Sequence, residues 1–305
     1  MSATLDRAKA QARVAMGACL HAAGLYRRLL PAFDPKPRNV LARRLQSYLQ
    51  NYYDQAESAE GTLHLAPLGV TVACDIKDHM LWHHLEGVAP IYEQAEIDHC
   101  RTWVRAGDHI LDVGANHGFW GFALAQRAGA GAVLYLCEPN ATVLRRLRRT
   151  AALNPMIDAR ILPYAITDGA QADVTFYLPR GNLSGLGSTV LHDSARRHGF
   201  LEEARRVTVA ARSIDELVRD GRIQRIDLMK IDVEQAEHAV LRGARDAIRR
   251  FKPRLLMVET GAGSEAEQAL RALGYPAPYR LDEAGQRQPV EPGWWGNLFF
   301  TREDA

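Results

Sequence analysis

The sequence is short of cysteine, of net charge and of long apolar runs, and each shortage closes off a class of protein. Its four cysteines (Cys19, Cys74, Cys100 and Cys137) lie far apart, with no C-x-x-C pair and no histidine at ligand spacing. A disulfide framework and a structural zinc site are set aside on that ground, and a reducing, cytoplasmic setting is expected. A net charge of +2 gives no electrostatic reason to expect nucleic acid or an acidic membrane surface. No run approaches the length of a membrane span. The stretch nearest to a signal sequence, residues 12–26, contains His21 and is followed by Arg27 and Arg28, and reads as an amphipathic helix. Internal repeats and low-complexity tracts are also missing.

What is present divides into two parts. Residues 1–87 read as an extension of helices and a short hairpin, with a lid, pocket or dimer role. Within it "VLARRLQSYLQNYY" (40–53) has helical spacing, and "TLHLAPLGVTVACDI" (62–76) alternates around a Pro-Leu-Gly turn, as a hairpin does. The aromatic, His-rich "HMLWHH" (79–84) could line a pocket. Residues 88–305 form the second part, opening with a helix over 89–104. From residue 107 strand, turn and helix alternate: "HILDVG", "AVLYLCE", "ARILPYAI", "IDLMKID" and "RLLMVE" are strands, with "ADVTFYL" an added antiparallel strand and "NLFFT" the last. "RSIDELV" opens a short helix with Ser213 and Glu216 as a capping box. The Arg-rich "LRRLRRTAAL" (144–153) reads as a solvated helix face. Continuous apolar strands separated by helices make an α/β fold with a mostly parallel sheet covered on both faces.

In such a sheet ligands bind outside the carboxyl ends of the strands. The first strand runs into "DVGANHG", where Gly114 lets the chain turn sharply with backbone close to a ligand. The second ends at Glu138, placed to accept both hydroxyls of a ribose. A dinucleotide loop needs a glycine where this chain has Asn116, and Asp112 would repel a diphosphate while tolerating an ammonium and a sulfonium. S-adenosylmethionine is therefore the expected cofactor. Its contacts are assigned to Asp112, Gly114, Ala115, Asn116, His117, Glu138, Pro139 and Asp232. NAD is the alternative, which would make the protein an NAD-dependent sugar oxidoreductase.

"DVGANHG", "CEPN" and "KIDVEQAEHAVLRGA" resemble the FkbM family of S-adenosylmethionine-dependent methyltransferases, with "GVAPIYEQAE", "YAITD", "RSIDEL" and "NLFF" in the same order. The resemblance runs over residues 88–301. It implies the Rossmann-like class I methyltransferase fold: a seven-stranded sheet with helices on both faces and "NLFF" as an antiparallel strand inserted near its end. It places the methionine part of the cofactor on Asp112, Gly114 and Asn116, the ribose on Glu138 and the adenine along Ala165 and Ile166. It also favours O-methylation of a hydroxyl on a sugar, polyketide or other natural product. Where the family usually has "DVEG" this chain has Gln235, which bears on the acceptor pocket.

Methyl transfer to an aliphatic hydroxyl needs a base for the departing proton. Asp232, at the end of the fourth parallel strand, is the first candidate. Glu234 and His238 are read as a coupled pair four residues apart on one helix, whose buried stripe is Val233, Ala236, Val240, Ala244 and Ala247. Glu237 reads as a first-turn acid of that helix, and His117 is another candidate base. A divalent metal shared by Asp232 and Glu259 is the less favoured route, and no metal ligand is assigned. The partners expected are a small-molecule or glycan acceptor and a second copy of the chain through residues 1–87, with no nucleic acid and no membrane. A cofactor-binding scaffold without turnover is the non-enzymatic alternative.

Overall fold

The computed structural model describes residues 2–22, 48, 60–75, 93–178, 187–190 and 205–302. The expected helix over 40–53 (Tyr48 aside) and the stretch 79–84 lie outside these residues. The chain forms two compact units, Met1–Leu63 with Ala73–Gln94, and His64–Val72 with Ala95–Ala305. Helix α1 (Ser2–Ala22) belongs to the first. Strands β1 (Glu60–Leu65) and β2 (Val70–Asp75) pair as the hairpin that alternation predicts. Among the described residues no helix is long and apolar enough to cross a membrane.

The second unit is built on strands made almost wholly of buried apolar residues. Helix α2 (Gln94–Arg101) leads into β3 (His109–Val113), α3 (Phe119–Ala128), β4 (Val133–Cys137), α4 (Ala141–Leu153) and β5 (Asp158–Leu162). The small strands β6 (Ala165–Ile166), β7 (Asp173–Leu178) and β8 (Arg205–Arg212) follow, then α5 (Ile214–Arg219) and β9 (Leu228–Ile231). Helices α6 (Glu237–Arg242) and α7 (Arg245–Phe251), β10 (Leu255–Gly261), α8 (Glu265–Ala272), β11 (Tyr279–Leu281), β12 (Arg287–Pro289) and β13 (Trp295–Thr301) complete it. Every residue of β4 and β9 is buried, as strands covered on both faces require. Each large apolar side chain so buried contributes about 1.5–3 kcal/mol.

The central sheet has the order β12-β11-β13-β10-β9-β3-β4-β5. Five strands, β10, β9, β3, β4 and β5, are parallel, and β13 runs antiparallel beside β10. The sheet thus has eight strands where the resemblance implied seven. The addition is the edge strand β12, three residues long, which pairs with the equally short β11. From β3 the chain winds through β4 and β5 on one side and returns to β9 and β10 on the other. The switch point lies between β3 and β9, where a doubly wound sheet opens its crevice.

Two further expectations are corrected. "ARILPYAI" is two strands: β6 leaves the main sheet to join β8 and β7 in a three-stranded sheet, where β7 is antiparallel to β8. The helix predicted from Val233 onward starts only at Glu237 and is broken at Gly243 into α6 and α7. Glu234 and Gln235 hold φ 56° and 73°, a left-handed backbone that no right-handed helix can contain. The basic face of α4 is exposed at Arg145, Arg148 and Arg149, but Arg146 is buried. The Ser213–Glu216 capping box forms as its spacing predicts.

At the amino ends of the strands, buried Arg254 is ion-paired with Asp108 and donates from Nε to the Trp103 carbonyl at 3.0 Å. Asp227 accepts from the His109 amide at 2.7 Å. These bonds pin the starts of β3, β9 and β10, so their carboxyl ends are a fixed platform.

Candidate active site

The platform opens into a cleft at the carboxyl ends of β3, β4 and β9, where ligands bind in such sheets. Gly114, Asn116, Glu138, Pro139, Ala165, Ile166 and Asp232, all named from sequence, line it. So do Val113, Cys137, Tyr164, Phe176, Gly187, Thr189 and Val233, which sequence reasoning did not assign to the site.

Parallel pairing of Val113 with Ile231 sets Gly114 beside Asp232, whose amide donates to the Val113 carbonyl at 3.0 Å. Gly114 has φ 81°, and a Cβ there would lie 1.7 Å from the Asp232 carbonyl oxygen. No other residue fits. Asn116, at φ 44°, faces the cleft and donates its amide to Glu138 Oε2 at 3.1 Å. Glu138 Oε1 accepts from the Asn140 amide at 2.7 Å. Its carboxylate is thus fixed by the loops after both strands, and each oxygen keeps acceptor capacity for a ligand.

Three expected contacts are placed elsewhere. Asp112 is buried behind the loop, where Oδ2 accepts from the Gly121 amide at 3.1 Å, joining β3 to the first turn of α3. Ala115 is buried, with its amide on the Cys137 carbonyl. His117 is buried and stacked on Phe119, with ring centroids 5.5 Å apart, and does not line the cleft. Neither Asp112 nor His117 is among the residues that line the cleft.

On the β9 side, Asp232, Glu234 and Glu259 each bring an oxygen within 4.8 Å of the others. Lys230 Nζ lies 3.1 Å from Asp232 Oδ2 and supplies a positive charge to the group. The three oxygens could hold a metal ion or share protons, and the Lys230 ammonium pairs with one of them, on Asp232. His238 does not join Glu234: its Nδ1 sits 2.6 Å from Glu265 Oε2 and 3.3 Å from Arg242. The expected acid–imidazole pair is absent because Glu234 precedes the helix that carries His238.

The acids hold protons tightly. Burial, with the Asp232 and Glu237 charges, pushes Glu234 up to about 8. Burial also pushes Glu237 up to about 7, against the bonds its carboxylate receives from Val233 and Gln235. Glu259 is raised well above the carboxylate range by burial, then by the Asp232 and Glu234 charges and a hydrogen bond to Asp232. Glu138 rises to about 7 through burial, partly offset by the Asn140 and Asn116 amides.

A stability prediction follows from the sign of these shifts. Each group binds its proton more tightly folded than unfolded, where the carboxyl titrates near 4.5. Their contribution is complete below that value and is lost as pH rises through 7 to 8. Each loses about 1.4 kcal/mol per pH unit while only the folded form is protonated. Urea unfolding of the protein between pH 5.5 and 8.5 should show stability falling with pH, and Glu234→Gln should flatten the slope.

The turn from Val233 to Ala236 is held from two sides. Glu237 Oε1 accepts from the Val233 amide at 3.2 Å and the Gln235 amide at 3.0 Å. Ser188 Oγ lies 2.7 Å from the Glu234 carbonyl and 3.2 Å from the Val233 carbonyl. Two consecutive non-glycine residues in left-handed backbone cost about 1–3 kcal/mol each, so such restraint is needed. Beyond Glu259, Trp295 pairs with Gly261, where a Cβ would come 3.0 Å from its Cε3. The missing side chain lets the indole, about half exposed at 51%, lie across the strand on the face that carries Glu259.

Several solved structures are similar to this chain. A methyltransferase FkbM from Methylobacillus flagellatus matches at 17% identity and TM-score 0.38, over 73% of this chain and 52% of that one. Fibrillarin from Aeropyrum pernix, in complex with S-adenosyl-L-methionine, matches at 14% identity and TM-score 0.34, over 65% and 67%. An S-adenosylmethionine-dependent O-methyltransferase from Thermotoga maritima matches at 13% and 0.36, over 68% and 64%. The chain spans about half the length of the first of these. No curated protein matches. The model of the methyltransferase FkbM domain matches residues 112–277, more than half of the chain and all of the cleft's loops and acids. The protein belongs to the FkbM methyltransferase family.

Proposed function

We propose that the protein is an S-adenosylmethionine-dependent O-methyltransferase acting on a hydroxyl of a small molecule or glycan, of the kind found in natural-product biosynthesis. The observation that carries the reading is the cleft itself. It has a backbone cradle at Gly114 that a Cβ would fill, and a Glu138 carboxylate fixed on two loops with lone pairs to spare. Beside them stands a group of acids at the end of β9. The residues fit the cofactor. Gly114 and Asn116 would border its amino-acid part, Glu138 its ribose, and Ala165 and Ile166, both buried, its adenine. When bound, the cofactor supplies an electrophilic methyl group.

The chain's own part is alignment and proton removal. Asp232 lines the cleft and is paired with Lys230, so its carboxylate is the base that meets an acceptor hydroxyl. Glu259 and Glu234, whose carboxyls are raised by burial and by neighbouring acid charges, hold protons beside it. The domain match to a methyltransferase family speaks against the oxidoreductase reading. Calorimetric titration of the purified protein with S-adenosylhomocysteine, and separately with NADH, tests the proposal. Binding of S-adenosylhomocysteine with no heat from NADH is expected. NADH binding alone would overturn it.

A further inference from the structure

We infer that Ser188 is a positioning residue, whose buried hydroxyl holds the 233–236 turn in its left-handed form and so seats Glu234 against Asp232 and Glu259. The inference rests on the functional reading only in giving those acids a role in proton removal. Ser188 lies in the stretch 187–190, where its neighbours Gly187 and Thr189 line the cleft. It is 1% exposed and is bridged to Tyr177 of β7 by backbone bonds in both directions, 2.8 Å from Tyr177 N to Ser188 O and 3.2 Å from Ser188 N to Tyr177 O. A serine hydroxyl has one proton and two lone pairs. Here the oxygen accepts from the Val190 amide at 3.1 Å, and its proton is left for the Glu234 carbonyl, with the Val233 carbonyl as second acceptor.

The bonds are therefore spent on the two carbonyls at the entry to a turn that Glu234 and Gln235 would not adopt alone. Glu237 holds the amides of the same turn. Amides on one side and carbonyls on the other leave the backbone a single arrangement. It is the arrangement that buries the Glu234 side chain among Asp232, Glu259, Glu237 and Lys230. Because Ser188 stands between two cleft-lining residues, the wall of the cleft and the acid turn move as one piece.

The test follows the Glu234 carboxyl by carbon NMR, in protein labelled at glutamate carboxyls and assigned with Glu234→Gln. In the wild-type protein burial and the Asp232 and Glu237 charges push the Glu234 carboxyl up to about 8. Ser188→Ala removes only the hydroxyl; the turn should relax, and the Glu234 midpoint should fall by about one pH unit or more as water reaches it. Glycine takes φ 73° at no steric cost. In a Gln235→Gly background, Ser188→Ala should shift the midpoint less than half as far. An unchanged Glu234 titration in a Ser188→Ala protein that unfolds cooperatively would overturn the inference. If Ser188→Ala alone does not fold, Gln235→Gly must restore a cooperative transition, and a double variant as unstable as the single one also overturns it. S-adenosylhomocysteine titration of the wild-type protein reads the functional proposal separately, since neither NMR outcome needs an acceptor.

Discussion

Gly114→Ala should cost about 4–5 kcal/mol and abolish S-adenosylhomocysteine binding. The added Cβ would stand 1.7 Å from the carbonyl oxygen of Asp232, an atom of the neighbouring strand end that cannot step aside. Relief requires separating β3 from β9 at the point where the cleft opens, so stability and binding fail together. Gly131→Ala is the matched control. It has the same φ of 81°, but its added Cβ meets nothing nearer than the Gly107 Cα at 3.9 Å. It should show only the left-handed penalty of about 1–2 kcal/mol. Chemical denaturation of both variants separates backbone conformation from collision. Equal losses would show that the close approach of β9 to the loop is not what selects glycine.

The second large effect is on turnover. Asp232→Asn should lower methyl transfer to a hydroxyl acceptor about 10²–10⁴-fold, the range of a lost general base, while S-adenosylhomocysteine still binds. Asparagine keeps the shape and loses the negative charge, and with it the ability to take a proton and the ion pair with Lys230. The assay follows label from S-adenosylmethionine into a panel of glycosides, polyols and polyketide alcohols. The same substitution removes a charge that raises Glu234 and Glu259, so both should titrate lower in the variant. Turnover within threefold of the wild type would take the base role from Asp232. Chelation by EDTA distinguishes proton removal from cation assistance, because only the latter loses activity.

The parallel strands were legible because burial on both faces leaves a largely apolar run, unbroken in "AVLYLC" and interrupted only by Lys230 in "LMKI". The pairing of Asp232 with Glu259 could be read the same way, from ends of adjacent strands. What stayed hidden has physical reasons. Strand β8, "RRVTVAAR", is largely exposed along its first half and pairs outside the main sheet, so it lacks the core signature. The β11 and β12 strands are too short for a period to show. The turn after β9 was read as helix because Val233, Ala236 and Val240 keep helical spacing. Its left-handed residues are glutamate and glutamine, and no glycine announces them. Ser188 reaches that turn from more than forty positions away, through bonds to main-chain carbonyls that leave no trace in the order of side chains. Asp112 and His117 are both buried, one bonded to the Gly121 amide and the other stacked on Phe119, and spacing along the chain gives no sign of that burial.

Trp295 gives the protein an optical reporter of its own. Its indole lies over Gly261 on the strand next to the acids, half open to solvent, whereas Trp120 is 2% exposed. An acceptor that covers the face carrying Glu259 should displace water from that indole and change its emission. Candidate acceptors can therefore be ranked by intrinsic fluorescence with S-adenosylhomocysteine in place, and Trp295→Phe supplies the blank.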